Sequence, residues 1–249
     1  LGSIVASRLS LASRIVDGYV ADAEVFLDFD FDGELDADEI PYLTRSDSQG
    51  NVSFELPEGR AYQIVAKGGT DVNTGNEIST LVAASGAAVV SPLTSLSASL
   101  ASSGVADTNA KMRELFDLPE GVDVASYDFV DSAKTGAADG KAAFAKAQQL
   151  FSTLNIISEL TGTDAQSGFT DAVSFVGQQL ADHSGDFDLG DSSNITNLLE
   201  QSEFASGDTT GKMDLTIKDA DGNDAVVQKS IIDVIADAVS GANLLIENT

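Results

Sequence analysis

Residues 28–39, Asp-Phe-Asp-Phe-Asp-Gly-Glu-Leu-Asp-Ala-Asp-Glu, carry the densest chemistry in the chain. Counted from Asp28, acids fall at positions one, three, five, seven, nine and twelve: Asp28, Asp30, Asp32, Glu34, Asp36 and Glu39. Gly33 takes position six and Leu35 position eight. Every slot of the EF-hand calcium pattern is filled. Calcium takes six to eight oxygens at about 2.3–2.6 Å. A loop this short turns its acids inward only if glycine permits the sharp bend. Position seven serves through its backbone carbonyl, so the Glu34 side chain is free, and position twelve closes the shell with two oxygens. Leu35 is expected to anchor the loop to the core. The competing reading is a solvated acidic turn, in which carboxylates packed this closely repel one another without a cation.

No other stretch carries so complete a pattern. Asp186, Asp188 and Asp191, and the group Asp219, Asp221, Asn223 and Asp224, lack both the glycine at the sixth position and the glutamate at the twelfth. They are expected to cap a helix and to turn a hairpin. The single histidine, His183, has no cysteine to join it in a zinc site of the usual type. Ser91 and Thr94 have no base partner in sequence and read as helix caps. The stretch Gly-Gly-Thr-Asp-Val-Asn-Thr-Gly at 68–75 matches no phosphate loop. Gln148, Gln149, Gln178 and Gln179 are expected on polar helix faces.

Composition narrows the partners. Forty acids against 13 bases give a net charge of −27. Such a field repels nucleic acid and anionic membranes and attracts cations. There is no cysteine, so neither disulfide nor thiolate chemistry is available. An extracellular chain without disulfides needs another staple, and a bound cation is one. No apolar run reaches the roughly 20 residues that span a bilayer, and membrane insertion is not expected. No leader pattern stands at Leu1, so an exported chain would have lost its signal or be a piece of something longer.

The elements that would position these residues change character near Ser91. Before it, Val52, Phe54 and Leu56 alternate with polar residues, and Tyr62, Ile64 and Ala66 do the same. Asp17-Gly18, Asp47 to Gly50, Pro57 to Gly59 and Gly68-Gly69 separate short β segments. Pro41 stands two residues beyond Glu39, where an EF-hand would need an exit helix, so the loop is expected to join two strands. After Ser91 the period is helical. Ser91, Pro92 and Gly104 bracket one helix, and Asp107 starts another bearing Met112, Leu115 and Phe116. Phe144, Ala147, Phe151, Leu154 and Ile157 make a stripe on the longest helix. Phe169, Val173, Val176 and Leu180 make another, Asp191 precedes a helix bearing Ile195, Leu198 and Leu199, and Ile231 begins a C-terminal helix. A hairpin is expected near 212–227. The fold class is therefore α+β: a small antiparallel β-sandwich with an EF-hand-like calcium loop, then a mainly α-helical bundle. The divisions are an N-terminal arm or linker at 1–12, the sandwich at 13–91 and the helical region at 92–249.

The run VDGYVADAEVFLDFDFDGELDADE, followed by SDSQGNVSFEL, resembles the calcium-binding B-type, prealbumin-like repeats of large secreted or surface-anchored bacterial adhesins. With GGTDVNTG, SPLTSL and KAQQLFSTLNIISEL, the likeness to a module in which such a sandwich precedes a helical region extends over roughly residues 13–160. The resemblance implies Asp28, Asp30, Asp32, Asp36 and Glu39 as side-chain calcium ligands, with Glu34 ligating through its carbonyl. Some such repeats carry Lys–Asn isopeptide staples. Lys67 is the only lysine of the β region, and no partner for it is evident, so none is expected here.

The function expected is a non-catalytic, calcium-stabilised structural or adhesive module, secreted or on the cell surface. Its partners would be neighbouring modules, copies of itself, or cell-surface and matrix glycans or proteins. A first alternative is a self-assembling subunit of a surface layer or extracellular filament, with the 1–12 arm adding a strand to a neighbour. A second is a carbohydrate-binding module, although the chain has no Trp and only four Tyr. No pair of acids is singled out for glycoside hydrolysis, and no enzyme activity is expected.

Overall fold

The computed structural model describes residues 9–56, 58–161, 165–200, 212–218 and 224–247. Strands fill the first part: β1 (Ser10–Ile15), β2 (Val20–Ala21), β3 (Glu24–Asp28), β4 (Thr44–Arg45), β5 (Asn51–Glu55), β6 (Gln63–Lys67), β7 (Thr70–Asp71), β8 (Leu81–Ala84) and β9 (Val89–Val90). Helices follow: α1 (Pro92–Ser102), α2 (Thr108–Phe116), α3 (Phe129–Lys134), α4 (Ala138–Thr161), α5 (Ala165–Ala181) and α6 (Ser192–Glu200). The hairpin strands β10 (Lys212–Lys218) and β11 (Asp224–Ser230) lead into α7 (Ile231–Glu247). The molecule is thus mixed α and β, with small sheets.

One sheet runs β5-β1-β9, with β1 antiparallel to β5 and parallel to β9. A second runs β4-β3-β6-β8, antiparallel throughout. Val52 and Phe54 of β5 are buried while Ser53 and Glu55 are exposed, as their alternation predicts. On β6 the alternation misleads. Val65 is buried along with Ile64 and Ala66, and it lies opposite the buried Phe26 in the register. This sheet is covered on both faces at its centre, so polarity there does not mark a solvent side. Ser10 to Ala12, expected in an arm or linker, open β1; the first eight residues lie outside the described ones.

Local capping explains where the helices begin. Ser91 and Thr94 form a reciprocal capping box, with Ser91 N donating to Thr94 Oγ1 at 2.8 Å and Thr94 N donating to Ser91 Oγ at 3.3 Å. Asp107 Oδ1 accepts from Ala110 N at 2.9 Å, and Asp191 Oδ1 accepts from Ser193 N at 2.8 Å. Asp188 Oδ1 accepts from Gly190 N in the same turn, so Asp188 and Asp191 are occupied as local turn and cap acceptors. The hairpin strands stand where expected. Its turn, with Asp219, Asp221 and Asn223, lies outside the described residues.

The two regions share one interior. A single apolar cluster runs from Ile15, Val25 and Leu81 through Leu93, Leu96 and Leu100 of α1 to Leu154, Phe169, Leu198 and Val239. Helix α1 also lies against β8. Ser95 Oγ accepts from Val82 N at 2.9 Å, and Thr94 Oγ1 donates to Val82 O at 2.8 Å. On α5, Gly177 lets α1 come close: a Cβ there would stand 2.0 Å from Ser99 Oγ. The predicted α4 stripe is present, with Ala147, Leu154 and Ile157 buried and Phe144 and Phe151 packed beside them.

Two glutamines depart from expectation. Gln149 is fully buried, its Nε2 donating to Asn243 O of α7 at 2.8 Å. Gln148 Nε2 lies 3.3 Å from both Asp17 O and Asp17 Oδ1, in the turn after β1. Helix α4 is packed on several sides, against α3, α5 and α7, so its polar positions are drawn inward as well.

Asp17 of that turn and Asp71 of β7 are two buried acids. Gly18 makes room for them: a Cβ there would sit 2.1 Å from Asp71 Oδ1. Asp71 is satisfied by Asn73 N at 2.9 Å and Thr74 Oγ1 at 2.8 Å. Burial pushes the Asp17 carboxyl well above the ordinary carboxylate range; the Asp71 charge adds to this and the Gln148 hydrogen bond opposes it. A carboxyl raised in the folded state contributes stability that is full below its unfolded pKa of about 3.9 and is lost as pH rises through its folded pKa. Asp17→Asn is therefore expected to raise Tm near neutral pH and to change it little at about pH 4. Calorimetry at the two pH values reads this, and equal shifts at both would reject charge burial as the cause.

Candidate metal centre

Strand β3 delivers Asp28 as its last residue, paired in register with Gln63 of β6. The chain then turns through residues 29–39, makes a 3-10 turn over Ile40–Tyr42 and enters β4. Pro41 stands inside that turn, and no helix of EF-hand length follows. The loop joins two strands, as the position of Pro41 predicts.

Aromatic residues rather than Leu35 secure the loop. Phe29 is buried in the core cluster, with the Tyr42 ring edge-on at 5.1 Å. The Arg60 guanidinium lies 3.6 Å from the Phe29 ring centroid and pairs with Asp38 at 2.6 Å. That pairing holds the Asp38 carboxyl below its usual range, the hydrogen bond from Arg60 being the chief cause. Leu35 is only half-buried and lies outside the core cluster. Alternation along the loop does not reveal which apolar residue points inward, because the loop is not a strand.

The Asp28 carboxylate is fully buried and organises the bend. Its Oδ1 accepts from Phe31 N at 2.7 Å and Asp30 N at 3.2 Å. Its Oδ2 accepts from Gly33 N at 2.8 Å and Gln63 Nε2 at 2.7 Å. Gly33 takes φ +78°, the left-handed backbone that its motif position requires. Phe31 takes φ +66° as well, which nothing in the sequence announces.

Asp28, Asp30 and Asp32 each present a carboxylate oxygen within 4.8 Å of the others, and this group could hold a metal ion. Asp30 and Asp32 are exposed. Partial desolvation and the neighbouring Asp32 and Asp28 charges push the Asp30 carboxyl up, the strain expected of crowded anions. The remaining acids of the pattern stand apart from the three. Glu39 is buried, and its carboxylate accepts from Phe29 N at 2.6 Å and from Asp36 N at 3.0 Å. Glu39 therefore ties the two ends of the loop together. Asp36 is exposed. The Glu34 side chain pairs with Lys67 at 2.8 Å, consistent with a position whose side chain is free. That contact also accounts for the one lysine of the β region. The donors are all hard oxygens, suited to calcium or magnesium rather than to a thiophilic metal.

Among the described residues no helix is long and apolar enough to cross a membrane. No family model, no curated protein and no solved structure matches the chain.

Proposed function

We propose that the chain is a calcium-stabilised, non-catalytic structural or adhesive module that works outside the cell. One observation carries the reading: a fully buried aspartate at the head of the loop, accepting four N–H groups, with two further aspartates gathered beside it. The complete EF-hand spacing, the lack of disulfides, the acidic surface and the resemblance to B-type adhesin repeats support it. In this reading the two small sheets form a sandwich, and the helices form a bundle against it. Asp28, Asp30 and Asp32 would hold the ion, with Asp36, the Glu34 carbonyl and Glu39 as the further oxygens of its shell, and calcium would supply the charge that offsets these crowded carboxylates.

Extracellular modules hold calcium at about 10⁻⁴–10⁻³ M, so such a site fills outside the cell and empties in the cytosol. At free calcium one hundred times Kd, binding stabilises the fold by about 2.7 kcal/mol. For a chain of this length that is a Tm rise of roughly 5–11 °C. Thermal melting in calcium and in chelator tests it, and identical midpoints would overturn the reading. The filament and surface-layer alternative rests on the first twelve residues, of which the described Ser10 to Ala12 open β1.

A further inference from the structure

The far side of the same loop forms one wall of a cavity of about 410 Å³. Phe31, Asp32 and Glu34 line it from the loop, Lys67 from β6, and Asp171 from α5. Its floor between α1 and α5 carries the hydroxyls of Ser95, Ser99, Ser102 and Ser174. A second hollow shares three of these serines and extends the trough along α5 to Gln178 and Asp182. The volume falls within the range of small-molecule sites, about 300–1,000 Å³.

The lining selects a class of ligand. Asp32, Glu34 and Asp171 disfavour anions, and the one cation, Lys67, is already held by Glu34 at 2.8 Å. Ser99 and Ser102 already donate to Ser174 O and Ala98 O, so their oxygens and the carboxylates offer acceptors, which match the hydroxyl donors of a polyol. Phe31 supplies an apolar ring face for the C–H side of a sugar. Its side chain is over half exposed (54%), on a left-handed backbone that a bulky residue seldom adopts. Without a bound ring, such an exposed aromatic at a polar cavity gains little. A macromolecular partner would call for a broad face of about 800 Å² on each side, whereas this is a narrow hydroxyl-lined hollow.

We propose that this cavity binds a neutral saccharide, and that calcium in the loop sets the Phe31, Asp32 and Glu34 wall for it. The second clause rests on the calcium reading above; the cavity does not. The test is NMR titration of the full chain, first with calcium and then with cellotetraose, maltotetraose and mannotetraose, with spermidine as a cationic probe. At least one sugar is expected to give saturable shifts around Phe31 and Ser174. Phe31→Ala and Asp171→Ala are each expected to weaken that binding by about tenfold or more. Asp171→Ala should keep the calcium-induced shifts in residues 28–39, since Asp171 belongs to α5 and takes no part in the metal centre. Chelator should remove the sugar response. No sugar response up to about 20 mM in a chain that responds to calcium overturns the saccharide proposal and leaves the calcium reading standing. Spermidine binding in place of sugar overturns it also. Sugar binding undiminished by chelator overturns the coupling to the metal, and a chain deaf to calcium overturns the calcium reading alone.

Discussion

Asp28→Ala is expected to destabilise the protein by about 2–4 kcal/mol even in chelator, with a Tm loss of roughly 5–15 °C. The reason is independent of any metal. Four donors, Asp30 N, Phe31 N, Gly33 N and Gln63 Nε2, converge on this buried carboxylate, and alanine leaves them without an acceptor. Asp28→Asn is expected to fare little better. Whichever way its amide is turned, an NH₂ group faces at least one backbone donor, Asp30 N and Phe31 N on one side or Gly33 N on the other, that was satisfied by carboxylate oxygen. Asp30→Ala is the informative contrast. Its side chain is exposed, so stability in chelator should hardly change, while the calcium-induced rise in Tm should shrink or disappear. Melting the three variants with and without calcium separates the role of Asp28 in the bend from its role as a ligand. Equal losses for Asp28→Ala and Asp30→Ala in chelator would refute the structural role.

Asn243→Ala is the second large effect, about 2–5 kcal/mol, and it lies far from the loop. Asn243 of α7 is fully buried. Its Nδ2 donates to Thr153 Oγ1 of α4 at 3.0 Å and to Leu189 O of the turn before α6 at 2.8 Å. Its backbone oxygen receives Gln149 Nε2. One amide thus joins α4, α7 and the segment that leads into α6. Alanine strands the Leu189 carbonyl and opens a hole between α4 and α7. Asn243→Ser, which keeps a donor, is expected to lose less. Denaturant unfolding ranks the pair, and a loss under 1 kcal/mol for alanine would show that the node does not hold these helices.

The sequence makes the loop legible because its chemistry is written at fixed spacing. Gly33, Pro41 and the six acids need no tertiary context to be read. Helix caps were equally plain, since Ser91 with Thr94 and Asp107 with Ala110 N act within four residues. Contacts over long distances were not. Nothing in the neighbourhood of Gln149 announces a partner on α7, and Val65 reads as an outward residue until α1 and the loop are seen beside its sheet. Within the site, Phe31 and Glu39 show the same limit. Spacing marks Glu39 for the closing position of the loop, and the structure adds two backbone contacts, from Phe29 N and Asp36 N, that no motif announces.

Strand β1 is the middle strand of its sheet, though it precedes both of its neighbours in the chain. Arg14 pairs with Asn51 on one side and with Val89 on the other. Neither neighbour exists when β1 is made, and the second is a parallel pairing that closes only after the loop and β6 have been laid down. Loops of that length must close before their contacts reward them, which slows folding. The first sheet therefore completes late, on the doorstep of α1, and an ordered 28–39 loop shortens the search by bringing β3 to β4 and β5. Refolding followed after a jump into calcium would show this as a faster rate rather than only a higher melting point. For a chain released unfolded into calcium-rich surroundings, the ion would then act as a timing signal for assembly.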